Sequence, residues 1–120
     1  MKQDRSFGKF VRERRMARAA ESRAFSLRGL AGRVDVEPSY LSKIERGEQP
    51  PPGEQTIRRI AQELGEDPDA LLALAGKVSS DLLQIIRERP TQVGELLRSI
   101  RRVPAKRVAE MARQVRDGKW

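Results

Sequence analysis

At 120 residues, with 38% hydrophobic and 35% charged side chains, the chain has the length and balance of one compact water-soluble domain, or of a small domain with an appendage. It has no cysteine and no histidine, which excludes a disulfide framework and a thiolate metal site and removes the commonest general base and the usual zinc ligand; neither an enzyme nor a metal or other cofactor is expected. A net charge of +8 favours polyanionic partners.

The opening MKQDRSFGKF lacks the apolar stretch of a leader, and no later run approaches membrane-spanning length, so a cytoplasmic protein with no membrane partner is expected. The first helix is predicted from about residue 6 to 18, with Phe7, Phe10, Val11 and the aliphatic stem of Arg14 on its buried side. The connection AAESRAF follows. Its alanines suit an extension of the first helix by a turn or two, and Phe25 is expected to pack back onto the core.

Residues 26–47, SLRGLAGRVDVEPSYLSKIERG, read as two short helices joined by a tight turn. Ser26 caps the first of them, and Leu27, Leu30, Ala31 and Val34 recur on one face. Gly29 and Gly32 are three apart on that helix, follow no strand, and suit close helix packing rather than a phosphate loop. Asp35-Val36 makes the turn. Pro38 occupies the first position of the next helix, where no N–H is needed, and Gly47 supplies its left-handed cap. Leu41 and Ile44 face inward, leaving Ser39, Tyr40, Ser42, Lys43 and Arg46 outside. A helix this short with two inward apolar residues adds little core volume, so its outer face is the candidate site.

The run 48–53 with three prolines reads as a stiff spacer rather than a recognition segment. A fourth helix, 54–64, carries Ile57, Ile60, Ala61 and Leu64 on one stripe and ends at Gly65. Asp67-Pro68 opens a fifth with Leu71, Leu72 and Leu74, and Gly76 closes it.

This pattern resembles the phage-repressor helix-turn-helix family (Cro and lambda-repressor-like, of the xenobiotic-response-element type). The resemblance rests on Leu30-Ala31, Val36 and the run 39–47, extends back to FGKFVRE at 7–13, and runs forward through TIRRIAQELG at 56–65 to Leu71-Leu72. It covers roughly the first 76 residues and implies a five-helix lambda-repressor-like DNA-binding domain over 1–76; residues 77–120 carry no signal of the family, and with their own helical pattern, a short C-terminal helical extension, the expected fold is all-α. The resemblance also implies a sequence-specific transcription regulator, expected to be a repressor, that binds double-stranded DNA as a homodimer on an inverted repeat. By the same resemblance Arg15 pairs with Glu45 and braces the first helix against the reading helix; a free surface charge is the other reading of Arg15. The base-reading positions fall at Pro38, Ser39 and Lys43, with Tyr40 and Ser42 as neighbours. Lys43 suits guanine O6 and N7, whereas Tyr40 suits a phosphate, a thymine methyl or partial burial.

Leu27 and Pro38 depart from the family pattern, in which many members carry glutamine at each place. Phosphate anchoring is therefore expected to move to Ser26, Arg28 and Arg46, while Glu37 at the start of the reading helix opposes a phosphate.

The last third reads as three more helices. Ser80-Asp81 opens one with Leu82, Leu83, Ile85 and Ile86. Thr91 caps the next, with Val93, Leu96, Leu97 and Ile100 on one face, and Pro104 starts the last, with Val108, Met111, Ala112 and Val115. Some forty residues bury too little to stand alone. Since the family binds DNA in symmetric pairs, dimerisation through Val93, Leu96, Leu97, Ile100, Val108, Met111 and Val115 is expected; packing back onto their own domain is the other arrangement. An antitoxin-type module gripping a protein partner is the competing function. RNA binding through Arg98, Arg101, Arg102, Lys106 and Arg107 is a third reading, set against a solvated helix face.

Charge is uneven along the chain. Residues 1–33 hold ten basic and three acidic side chains (net +7), residues 34–76 four and nine (net −5), and residues 77–120 eleven and five (net +6). The segment with the candidate reading helix is thus acidic, and charge by itself assigns no partner.

Overall fold

Eight α-helices and no strand make up the described part of the chain, which in this computed structural model is residues 6–120. Residues 1–5, on which part of the no-leader expectation rests, lie outside the described residues. The chain divides into two compact units, one ending at Ser79 and one spanning Ser80–Trp120.

The first unit holds α1 (Ser6–Ala19), α2 (Leu27–Arg33), α3 (Pro38–Glu45), α4 (Glu54–Leu64) and α5 (Pro68–Leu74). One apolar face of each helix meets in a single core of Phe7, Val11, Leu30, Ala31, Val34, Leu41, Ile44, Ile57, Ile60, Ala61, Leu64, Leu71 and Leu72. The 3.6-residue spacing of these positions is what places them together. Helix ends follow their side chains. The Ser26 hydroxyl accepts from the Gly29 N–H at 3.0 Å, and the Asp67 carboxylate accepts from the Asp69 N–H at 3.1 Å. Gly47 and Gly65 take the left-handed conformation after α3 and α4, with φ of 75° and 69°. Lys77 donates to the Pro52 carbonyl at 2.9 Å, tying the end of the unit to the proline loop.

Several local expectations are corrected. The first helix stops at Ala19, one residue beyond 18, and a separate 3-10 turn, Arg23–Phe25, follows, its Ala24 N–H bonded to the Ser22 hydroxyl at 3.2 Å. Phe25, by contrast, packs against the core as expected; it is half-buried and stacked between Arg18 and Arg33, whose guanidinium carbons lie 5.2 and 4.9 Å from the ring centre. Arg14 does not lie on the buried side: it is exposed, stands 5.0 Å over the Phe10 ring and pairs with Glu66 at 3.2 Å. Of the two glycines in α2, only Gly29 permits a close approach, since a Cβ there would strike the Ala24 carbonyl, whereas nothing lies within 4 Å of a Cβ on Gly32.

The second unit comprises α6 (Ser80–Glu88), α7 (Pro90–Ser99), a 3-10 turn (Ile100–Arg102) and α8 (Ala105–Arg116). Thr91 does not cap α7. Helix geometry already begins at Pro90, the residue ahead of it, Arg89, makes no side-chain cap, and Thr91 sits inside the first turn. No residue of 80–120 is buried, although three apolar faces line up along these helices. This unit has no closed core of its own.

Candidate nucleic-acid interface

α3 is fixed from beneath by Leu41 and Ile44, which are 0% and 2% exposed. A rigid seat on one side leaves the other side to present side chains. Ser39, Lys43 and Arg46 are exposed there, while Pro38, Tyr40 and Ser42 are half-buried, Tyr40 against the hydrophobic core. Upstream, the turn is made by Asp35 at φ 60°, a left-handed conformation that aspartate tolerates better than branched residues do. The Val36 N–H reaches the Ala31 carbonyl at 3.0 Å, closing the angle between α2 and α3.

At the start of α2, the cap bond uses Ser26 Oγ as an acceptor, so the hydroxyl proton remains available to donate to an anion. Arg28, one turn-position further on, is exposed; Leu27 is half-buried and offers no polar atom. Glu37 sits at the α3 N-cap with no side-chain cap bond, which puts an acidic residue at the start of the helix.

Arg15 and Glu45 come together across α1 and α3. Arg15 Nε donates to Glu45 Oε2 at 2.7 Å and Nη2 to Oε1 at 2.8 Å, and Nη1 reaches the Phe25 carbonyl at 3.3 Å. Hydrogen bonding to Glu45, aided by its charge, holds the Arg15 guanidinium above its ordinary pKa against the lowering from burial. α1 approaches α3 closely because Gly8 has no Cβ; one there would run into the Ile44 carbonyl.

Arg46 is not loose. Its Nη1 donates to Ser42 Oγ at 2.9 Å and its Nη2 to Glu48 Oε2 at 3.0 Å. A cleft of about 150 Å³ beside it is lined by Arg12, Arg15, Leu27, Ser42, Glu45 and Arg46, and a larger one by Lys9, Arg12, Glu45, Arg46 and Glu48. Lys9 and Arg12 were absent from the sequence-derived set. The spacing carries a signal: Lys9 and Arg12, and then Arg12 and Arg15, are three apart and so neighbour each other in turn along α1.

In the second unit, Leu96, Leu97, Ile100, Val108, Met111 and Val115 line an apolar groove of about 440 Å³ together with Ala112 and Arg116. Leu96, Leu97 and Val115 are each more than half exposed. Val93 is half-buried and lies outside the groove lining. Among the described residues there is no cluster of metal-ligating side chains, and no helix is long and apolar enough to cross a membrane.

A family model described as a helix-turn-helix domain, found in various transcriptional regulators, matches residues 6–74, which covers the five helices of the first unit. No curated protein and no solved structure matches the chain.

Proposed function

The chain belongs to this helix-turn-helix domain family, a non-catalytic DNA-binding module, and from that footing we propose that it is a sequence-specific transcription regulator of the phage-repressor kind. It reads the major groove with α3 and acts as a cytoplasmic homodimer, most simply as a repressor, on an inverted repeat. The observation that carries this reading is the division of α3: Leu41 and Ile44 are sealed in the core while Ser39 and Lys43 project from the opposite side. A seated helix with short polar groups near its start and a longer cation a turn later has the shape and reach for base edges. Ser26, Arg28 and Arg46 supply phosphate contacts on either side, and the Arg15–Glu45 pair keeps α3 in register with α1.

Pairing of two copies is supported by the second unit. Its groove is apolar, open and lacks a buried residue, and helices with that much exposed leucine and valine require a covering surface. A second copy supplies a matching groove by symmetry, and two-fold pairing matches a two-fold operator. A small protein partner seated in the same groove is the competing occupant.

Selection of bound duplexes from a random pool tests the reading. A palindromic consensus whose half-sites lie about one helical turn apart, roughly 34–36 Å, is expected. Recovery of no consensus would overturn base reading by α3. A consensus with a single unrepeated half-site, together with a one-to-one complex with another protein, would overturn the homodimer.

A further inference from the structure

Between Glu95 and Glu110 the chain carries five cations and no acid: Arg98, Arg101, Arg102, Lys106 and Arg107. The backbone gathers them. α7 runs into the 3-10 turn Ile100–Arg102, Val103 and Pro104 are extended, and α8 begins at once, so Lys106 and Arg107 stand in its first turn. Arg102 and Lys106 are four positions apart, which limits their Cα separation to about 14 Å. All five side chains belong to exposed residues. Arg107 forms an open surface pair with Glu110 at 3.2 Å, and the other four have no ion pair among the described residues.

In the first unit Arg14, Arg15, Arg33, Arg46 and Arg58 each face a glutamate within 3.2 Å, and no acid-free stretch of residues 1–79 holds more than three cations. A solvated helix face normally interleaves both signs, because neighbouring like charges repel. Along 96–109 the cations are not interleaved with acids, and the apolar side chains of the same segment, Leu96, Leu97, Ile100 and Val108, line the groove. A run of cations with no aromatic residue among them suits a partner that offers dense negative charge. Duplex DNA does so, at about one charge per 1.7 Å of axis. Single-stranded RNA is recognised largely by stacking on aromatic rings, and residues 80–119 contain none.

We propose that the corner between α7 and α8, formed by Arg98, Arg101, Arg102, Lys106 and Arg107, is a second phosphate-binding surface for duplex DNA that adds affinity without reading sequence. The inference rests on the DNA-binding reading above and extends it to a surface outside the helix-turn-helix domain.

The test compares the full chain with its R101Q/R102Q/K106Q variant, titrating salt against the selected duplex and against an arbitrary duplex. Each neutralised contact should flatten the slope of log affinity on log salt by about 0.9, so a decrease of about 2 to 3 per protomer, and about twice that for a bound homodimer, is expected, equal on both duplexes and with their affinity ratio unchanged. The charge-preserving R101K/R102K/K106R variant should restore the slope. An unchanged slope in a variant that still prefers the selected duplex would overturn the proposal. So would loss of single-stranded RNA binding with the duplex slope intact, which would assign the corner to RNA. If no duplex is enriched in the selection, the base-reading role of α3 fails separately, and the slope on the arbitrary duplex still decides the corner.

Discussion

Arg15 and Glu45, thirty residues apart in sequence, face each other through two parallel hydrogen bonds of 2.7 and 2.8 Å, with side chains only 11% and 4% exposed. That geometry is a nearly dry, bidentate guanidinium–carboxylate pair between α1 and the C-terminal end of α3. Its net stabilisation is small, because desolvation of both ions offsets their attraction, but removal of one partner strands the other.

Glu45→Ala or Arg15→Ala alone is therefore expected to lower the unfolding free energy by about 3–5 kcal/mol, measured by urea titration. The double replacement Arg15→Met with Glu45→Leu should recover most of that loss. Its pKa is raised in the folded state, so the arginine's contribution is fully present below its ordinary pKa and disappears only as the pH rises through the higher folded value. Stability should show no dependence on this group across the neutral range. A double variant as unstable as the single ones would mean that the pair stabilises the fold outright.

Two glycines predict opposite outcomes. Gly8→Ala places a methyl against the Ile44 carbonyl, a backbone atom that moves only if α1 and α3 part; a loss of about 1–3 kcal/mol is expected. Gly32→Ala meets nothing within 4 Å and sits in a helix, so it should gain up to about 1 kcal/mol. Denaturant midpoints of the two variants, moving in opposite directions from the parent, check both.

These glycines mark what could be read from residues alone. The core of the first unit was legible because Leu30, Leu41, Ile57, Leu64 and their neighbours repeat at the helical period, and caps such as Ser26 and Gly65 are local chemistry. Gly29 and Gly32 look identical in sequence, since the distinction is a neighbour: the Ala24 carbonyl lies over one and open space over the other. The 3-10 turn at 23–25 was missed for a similar reason, as it depends on Ser22 capping and on Phe25 stacking between two arginines from other elements. The outward side of α3 was legible from Leu41 and Ile44. The attachment of Arg46 to Ser42 and Glu48 was not, because spacing gives proximity but not which of several charges an arginine chooses.

Lys43 and Arg28 should separate specificity from affinity. Lys43→Ala is expected to reduce discrimination at one base pair per half-site by about 1–3 kcal/mol, whereas Arg28→Ala should weaken every duplex alike and flatten the salt slope by about one contact. Affinity measured against the selected site and its single-base variants distinguishes them. Equal losses on all sequences for Lys43→Ala would remove it from base reading.

Glu48 occupies Arg46 in the manner a phosphate oxygen would, 3.0 Å from Nη2. On the proposed reading, DNA binding through Arg46 exchanges one anion for another. Glu48→Gln should tighten binding to any duplex several-fold and steepen its salt slope by about 0.9, while Arg46→Ala should weaken all duplexes and make the two substitutions non-additive. Additive effects in the double variant would mean that Glu48 acts on DNA through its general charge and not through Arg46.

The groove of the second unit offers the sharpest test of pairing. Leu97 is 52% exposed and lines it beside Leu96 and Val115. A carboxylate introduced there stays hydrated in a monomer and costs little, but burying it against a second, predominantly apolar groove strips its water. Leu97→Glu should therefore leave the folding of residues 6–79 intact while shifting the chain from dimer to monomer in sedimentation. Because each half-site then binds independently, affinity for the inverted repeat should fall by about 10²–10⁴, and affinity for a single half-site should barely change. A variant that remains dimeric, or that loses half-site binding equally, would locate the pairing surface elsewhere.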